Sequence, residues 1–112
     1  MAGFSQNTIL NFEIDAVYDA ALRAIPALKG FKLVRESKVS YTIFAKTGVT
    51  LFSYGENISV SLTETEQNKT SVSVISEPKM GALFGAIAAM EDAGKNQRNI
   101  KVVLEAIKNQ LK

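Results

Sequence analysis

The stretch that decides the fold is Ile58-Ser59-Val60-Ser61-Leu62-Thr63, in which apolar and small polar residues alternate without a break. A period of two is typical of a β-strand with one buried face and one wet face. After a polar tip at Glu64–Lys69, Thr70–Ser76 repeats the pattern with Val72 and Val74 on the buried side. The two stretches predict neighbouring antiparallel strands, because antiparallel sheets carry this alternation.

The N-terminal part predicts a strand followed by a helix. Thr8–Ile14 alternates, and Asp15 then has the character of a helix N-cap, since its carboxylate can accept from the free N–H groups of the next turn. The helix is expected to end near Pro26, which lacks an N–H group, with Gly30 closing the turn. The inward-facing residues are Leu10, Phe12 and Ile14 in the strand and Val17, Tyr18, Ala21, Leu22 and Ile25 in the helix.

Three shorter strands are expected in the middle of the chain. A hairpin around Glu36–Lys38 is predicted to join the first two, and a turn at Tyr54–Asn57 to precede Ile58, because Gly and Asn tolerate positive φ. Phe44 and Phe52 are expected on the face opposite the main apolar residues of their strands. The three strands are Phe31–Arg35, Val39–Lys46, with Val39, Tyr41, Ile43 and Ala45 on one face, and Val49–Ser53.

The chain becomes helical after Pro78. Met80–Met90 is rich in glycine, alanine and large apolar residues, and a long amphipathic stretch then runs to Lys112. Between them, Gly94 is predicted to end a short helix and Asn96 to cap the next one. The apolar face of the terminal helix consists of Ile100, Val103, Leu104, Ile107 and Leu111.

This order of elements predicts a two-layer α+β fold. We expect an antiparallel curved sheet of about five or six strands, with an N-terminal helix after the first strand and a long C-terminal helix packed on the sheet. Residues 1–112 are expected to form a single domain, because a chain of this length supports one core.

Composition excludes several kinds of chemistry. The chain contains no His and no Cys, which rules out a Ser-His-Asp triad, a Cys-His dyad and His- or Cys-ligated zinc. The formal charge of +2 is spread along the chain, so nucleic acid is an unfavoured partner. The start shows no secretory signal and Met80–Met90 is too short to cross a bilayer, so a cytoplasmic location is expected.

One short motif resembles known proteins. Asp92-Ala93-Gly94-Lys95-Asn96, followed by Arg98-Asn99-Ile100 and an amphipathic helix, resembles small uncharacterised bacterial domains of unknown function. These domains share the strand-helix-sheet-helix order and a D-x-G-x-N entry to the last helix. The architecture is also similar to the helix-grip folds of lipid- and hydrophobe-binding proteins. The resemblance implies a bacterial protein with a helix that begins near Asn96.

Met80–Met90 is the first candidate site. Its large residues suit an adaptable binding surface for a small apolar ligand, because thioethers and small neighbours allow repacking. Its small residues suit close approach of a second chain, and packing of the whole segment on its own sheet is the ordinary alternative. The predicted ligand-binding residues are Met80, Leu83, Phe84, Ile87 and Met90, and the predicted interface residues are Gly81, Gly85 and Ala89.

A second candidate is an anion site at Lys95, Asn96 and Arg98, since free N–H groups and the dipole at a helix start attract anions. A solvated helix face is its ordinary alternative. No carboxylate pair is accompanied by a base or a metal motif, so no catalytic residue, metal or cofactor is predicted.

The predicted function is non-enzymatic binding of an apolar or amphipathic small ligand or of a protein partner. The alternative is a homodimerising assembly module without ligand. An enzyme that uses carboxylate chemistry is a third hypothesis.

Overall fold

The computed structural model describes residues 4–47, 55–78 and 85–111. In chain order its elements are β1 (Phe4–Leu10), α1 (Ile14–Ala27), β2 (Phe31–Ser37), β3 (Thr42–Thr47), β4 (Glu56–Glu66), β5 (Lys69–Pro78) and α2 (Gly85–Gln110).

The strands form one antiparallel sheet in the order β1-β5-β4-β3-β2. The β4–β5 hairpin lies at its centre, with Val60 opposite Val74 and Leu62 opposite Val72. β1 joins β5 on one side and β3 joins β4 on the other. The two-layer α+β fold predicted from the order of elements is confirmed, with five strands among the described residues.

One face of the sheet carries the core because the period of two sends every second residue to the same side. We call this side the core face and the opposite side the outer face. The buried side chains of the described residues form one cluster between the core face and the two helices. Its members are Leu10, Val17, Tyr18, Ala20, Ala21, Ala24, Ile25, Ile43, Ala45, Ile58, Val60, Leu62, Val72, Val74, Ile100, Val103, Leu104 and Ile107.

The two helices lie on the core face and touch each other. α2 packs on β5 and β1, and α1 packs on α2 and on β2. The buried face of α1 includes Ala20, Ala21 and Ala24, whose small side chains allow close approach of a neighbouring backbone. The predicted apolar face of the terminal helix is confirmed, with Ile100, Val103, Leu104 and Ile107 buried and Leu111 partly buried.

The boundary between the first strand and the first helix was predicted wrongly. β1 ends at Leu10, Phe12 is 40% exposed, and Ile14 is the first residue of α1. The N-cap is Glu13, whose side chain makes no capping hydrogen bond, and Asp15 lies in the first turn. Ile14 fits two patterns, the alternation of the residues before it and the helical spacing of the residues after it. The sequence alone therefore does not decide to which element it belongs. The helix ends at Ala27, one residue after Pro26, and Gly30 has a φ of +86° in the following turn.

The ends of β3 and β4 also differ from the prediction. β3 starts at Thr42, because Tyr41 has a φ of +53° that no extended strand accommodates. Val39 is 97% exposed in the turn between β2 and β3. β4 starts at Glu56, inside the predicted turn, directly after Gly55 with a φ of +88°. The predicted strand Val49–Ser53 lies outside the described residues.

The predicted break in the C-terminal helix is wrong. α2 runs from Gly85 to Gln110 and passes through Gly94 and Asn96. A glycine inside a helix costs only about 1 kcal/mol relative to alanine, so tertiary packing can carry a helix through it. The D-x-G-x-N motif therefore lies within α2 and does not start it.

Candidate functional site

A buried carboxylate lies on the core face beneath α2. Glu56 is 3% exposed, although it is the first residue of β4 and follows directly after Gly55. It shares the core face with Ile58 and Val60, because these residues alternate along the same strand. Residues from two further strands and from α2 surround it. We call the group formed by Thr47, Glu56, Ser76 and Asn99 the Glu56 cluster.

Hydrogen bonds connect the members of the Glu56 cluster. The Thr47 hydroxyl donates to Glu56 Oε1 over 2.7 Å, and the Glu56 backbone N–H donates to Thr47 Oγ1 over 2.8 Å. The Asn99 side-chain amide donates to Glu56 Oε1 over 3.1 Å and to Ser76 Oγ over 3.3 Å. Three neighbouring strands and α2 therefore meet at one polar point at the end of the core face.

This arrangement can hold a polar group but lacks the parts of an acid–base or metal site. Burial of a carboxylate costs several kcal/mol unless hydrogen bonds or charges compensate it. The cluster contains a single titratable side chain. Within residues 4–47, 55–78 and 85–111, no group of three acidic side chains could hold a metal ion.

All of the predicted ligand-binding and interface residues fall where the structure gives no side-chain detail. Met80, Gly81, Leu83 and Phe84 lie outside the described residues, whereas Gly85, Ile87, Ala89 and Met90 lie on the described backbone of α2. Their proposed roles stay predictions.

The argument for an anion site at a helix start does not hold. Lys95, Asn96 and Arg98 lie in the interior of α2, where backbone N–H groups are used by the helix itself. The Arg98 side chain is exposed to solvent. The predicted site loses the free N–H groups that were its physical basis.

Sequence reasoning missed Glu56 by reading it as part of a turn. The alternation that starts at Ile58 places residue 56 on the same face when it is continued one step towards the N-terminus. In the same way, the buried face of Val72 and Val74 continues to Ser76, which is fully buried. The sequence signal that could have identified the cluster was therefore a polar residue at the end of the buried face of each of these two strands.

A separate tyrosine cluster lies where α1 meets the β2–β3 turn. The rings of Tyr18 and Tyr41 pack edge to face with centroids 5.7 Å apart, and the Tyr41 hydroxyl donates to Asp15 over 2.8 Å. Burial raises the pKa of Tyr18, and nearby Glu36 and Asp19 add to the shift. The hydrogen bond to Asp15 is the main cause that raises the pKa of Tyr41.

These raised pKa values predict a loss of stability in alkali. As the pH rises through about 10, the unfolded chain releases the tyrosine protons before the folded protein does. The free energy of unfolding should therefore fall from about pH 10 upwards, and Tyr18→Phe should reduce this fall. Urea unfolding of both proteins at about pH 8 and about pH 11 measures the difference. An equal fall in both would show that Tyr18 does not contribute.

Two open grooves lie elsewhere on the surface. One of about 520 Å³ runs between β1 and α2 over Ile100 and Leu104. The other, of about 540 Å³, includes Phe44, whose ring centroid lies 4.8 Å from the Arg35 guanidinium carbon. Phe44 thus lies on the outer face as predicted, while Phe52 is outside the described residues. Neither groove includes a member of the Glu56 cluster.

Neither described helix is long and apolar enough to span a membrane.

Known structures share the fold of this chain. A protein from Thermus thermophilus matches with a TM-score of 0.68 at 11% identity, over 97% of this chain and 96% of that one. The Zhui aromatase/cyclase from a Streptomyces species matches with a TM-score of 0.59 at 8% identity, over 98% and 95% of the two chains. A START superfamily protein from Mycobacterium smegmatis matches with a TM-score of 0.58 at 12% identity, over 98% and 99%.

No family model and no curated protein sequence matches the chain. At these low identities the structural matches establish the fold alone. It is an α+β fold of the helix-grip type, as the order of elements predicted.

Proposed function

We propose that this protein binds a small apolar or amphipathic molecule between the core face of the sheet and α2. The observation that carries the proposal is the Glu56 cluster, a buried carboxylate held beneath the helix by Asn99. Ile58, Val60 and Leu62 continue the same face of β4 and are buried in the core. An amphipathic ligand has both parts, an apolar body and a polar end.

A purely structural role explains the cluster less well. The core face could be closed at this point by another aliphatic residue, since replacing buried polar pairs by packed apolar residues is often neutral or stabilising. A buried carboxylate at this point is consistent with recognition of the polar end of a ligand. The START superfamily protein and the aromatase/cyclase that share the fold are consistent with a binding module.

The proposed lining adds the residues predicted from the sequence. Met80, Leu83, Phe84, Ile87 and Met90 are included for their large apolar side chains, and the last two lie on the backbone of α2. In this proposal the protein acts as a binding module and Glu56 contacts the ligand without taking part in a reaction.

Native mass spectrometry of the freshly purified protein tests the proposal. We expect a bound mass that disappears when the protein is denatured. After extraction, the protein should enhance the fluorescence of the neutral probe N-phenyl-1-naphthylamine, which reports an apolar site. A bare monomer that leaves the probe dark would contradict ligand binding. A doubled mass without ligand would instead support an assembly interface at Gly81, Gly85 and Ala89.

A further inference from the structure

We infer that the outer face of the sheet binds single-stranded nucleic acid, with phosphates on Lys32, Arg35 and Lys46 and a base stacked at Phe44. We call these four residues the outer patch. This function goes beyond the proposed one, because the outer face is the side of the sheet opposite α2 and the Glu56 cluster.

The register of β2 and β3 brings the cations of the outer patch together. Lys32 lies directly opposite Lys46, and Arg35 lies opposite Phe44. Phe44 and Lys46 are two positions apart in one strand, so their side chains point to the same side. All three cations are exposed to solvent. The even spread of charge along the sequence, which made nucleic acid an unfavoured partner, is therefore not preserved on this surface.

Neighbouring carboxylates do not neutralise the outer patch. Like charges directly opposite each other on adjacent strands repel, since their Cβ atoms are only about 5 Å apart. The salt bridges among the described residues are Lys38–Asp15 and Lys69–Glu66. Within that part of the chain, the three cations of the patch therefore have no ion-pair partner. Glu77, also on the outer face, is separated from Lys46 by the width of β4. A bound phosphate would relieve the repulsion between the two lysines.

The planar groups of the outer patch favour bases over other anionic partners. Phe44 is only partly buried, and the Arg35 guanidinium carbon lies 4.8 Å from its ring centroid. Aromatic rings and guanidinium planes are the groups on which proteins stack unpaired bases. Asn57 and Ser59 line the open groove beside Phe44, where an amide and a hydroxyl can hydrogen-bond to base edges. An acidic peptide or a lipid surface makes no use of such stacking.

The shape of the outer face favours an extended strand over a small molecule. Sites for small molecules enclose most of their ligand, whereas the groove at Phe44 is open along the sheet. Beyond Phe44 the face continues across β4 and β5 with the small hydroxyl side chains of Ser59, Ser61 and Ser73. These leave room for further nucleotides, and a strand can add several weak contacts in a row.

Fluorescence anisotropy of a labelled oligothymidylate of about 15 nucleotides tests the inference. Three phosphate contacts predict a slope of about −2 when the logarithm of the association constant is plotted against the logarithm of the salt concentration. An abasic strand of the same length keeps the phosphates and lacks the bases. It should bind at least about fivefold more weakly, because stacking is lost.

Two double variants separate the outer patch from the overall charge. Lys32→Gln with Lys46→Gln removes two of the three contacts, so the slope should fall to about −0.7 and the affinity should decrease. Lys101→Gln with Lys108→Gln makes the same change of net charge on the exposed side of α2 and should preserve both the slope and the affinity.

Phe44→Leu tests the stacking contact. This variant should bind the oligothymidylate no more tightly than the abasic strand, while its affinity for the abasic strand should equal that of the parent. Circular dichroism shows whether each variant folds. If Phe44→Leu does not fold, the comparison of the two strands on the parent protein still tests stacking.

Several results would overturn the inference. One is no binding of the oligothymidylate by the parent at about 50 mM salt, and another is an unchanged slope when Lys32 and Lys46 are both replaced. If the parent binds the abasic strand or polyglutamate as tightly as the oligothymidylate, the surface attracts polyanions in general and the inference is wrong. None of these results affects the proposed function, because N-phenyl-1-naphthylamine measures apolar ligand binding separately.

Discussion

A chain that ends at Lys95 is expected to lose cooperative folding. It lacks Ile100, Val103, Leu104 and Ile107, which α2 buries against the sheet and α1. Complete burial of one such side chain contributes about 1.5–3 kcal/mol, so the four contribute on the order of 6–12 kcal/mol. The whole free energy of unfolding of a natural protein is only about 5–15 kcal/mol. The remaining chain would expose the part of the core face that α2 covers.

Thermal melts followed by circular dichroism measure this effect. The full chain should give a sigmoidal transition, and the shortened chain should give none and should enhance the fluorescence of an apolar dye. A chain that ends at Gln110, where α2 itself ends, is the control and should melt close to the full chain. A cooperative melt of the chain that ends at Lys95 would show that the sheet and α1 are stable without α2.

Val74→Asp is expected to destabilise the protein by at least about 3 kcal/mol, because it places a charge without a partner in the core. Val74 is fully buried and lies between Val60 of β4 and Gln6 of β1. Neither of these register neighbours supplies a compensating positive charge. Denaturation with urea measures the change in the free energy of unfolding.

Ser73→Asp is the matched control for this substitution. Ser73 is the preceding residue of β5, and its register neighbours are Ser61 and Asn7 on the outer face. Because adjacent residues of a strand point to opposite faces, the same aspartate should cost less than about 1 kcal/mol there. Equal destabilisation by the two substitutions would mean that the register of β5 is shifted.

The central strands and the helix faces could be predicted because their residues repeat with a single period. The alternation from Ile58 to Leu62 and the spacing of Ile100, Val103 and Ile107 each allow one buried face. The prediction failed where a strand pattern and a helix pattern overlap in the sequence. It also failed where a single backbone φ angle determines where a strand begins. Ile14 fits both the alternation of the strand before it and the spacing of the helix after it. The residue type of Tyr41 does not indicate that its φ is positive.

The candidate site was harder to predict because its contacts join distant parts of the chain. Asn99 lies 43 residues from Glu56 and 23 residues from Ser76, so their contact depends on where α2 crosses the sheet. The residue type of Glu56 and its position after Gly55 favoured an exposed turn. Glu56 is buried because β4 starts at this residue and because α2 lies over it. Neither fact can be inferred from the residues next to Glu56 in the sequence.

The strand order has a consequence for association between copies of the protein. Among residues 4–47, 55–78 and 85–111, it leaves β1 and β2 with one unpaired side each, and unpaired strand edges can template aggregation. In β2 the register with β3 shifts between Leu33 and Arg35, and Lys32 and Arg35 carry positive charge. Both features disfavour regular hydrogen bonding between β2 and a strand of another molecule. β1 has no charged residue along its length and pairs with β5 without a register shift. Edge-to-edge aggregation of the folded protein would therefore begin at β1.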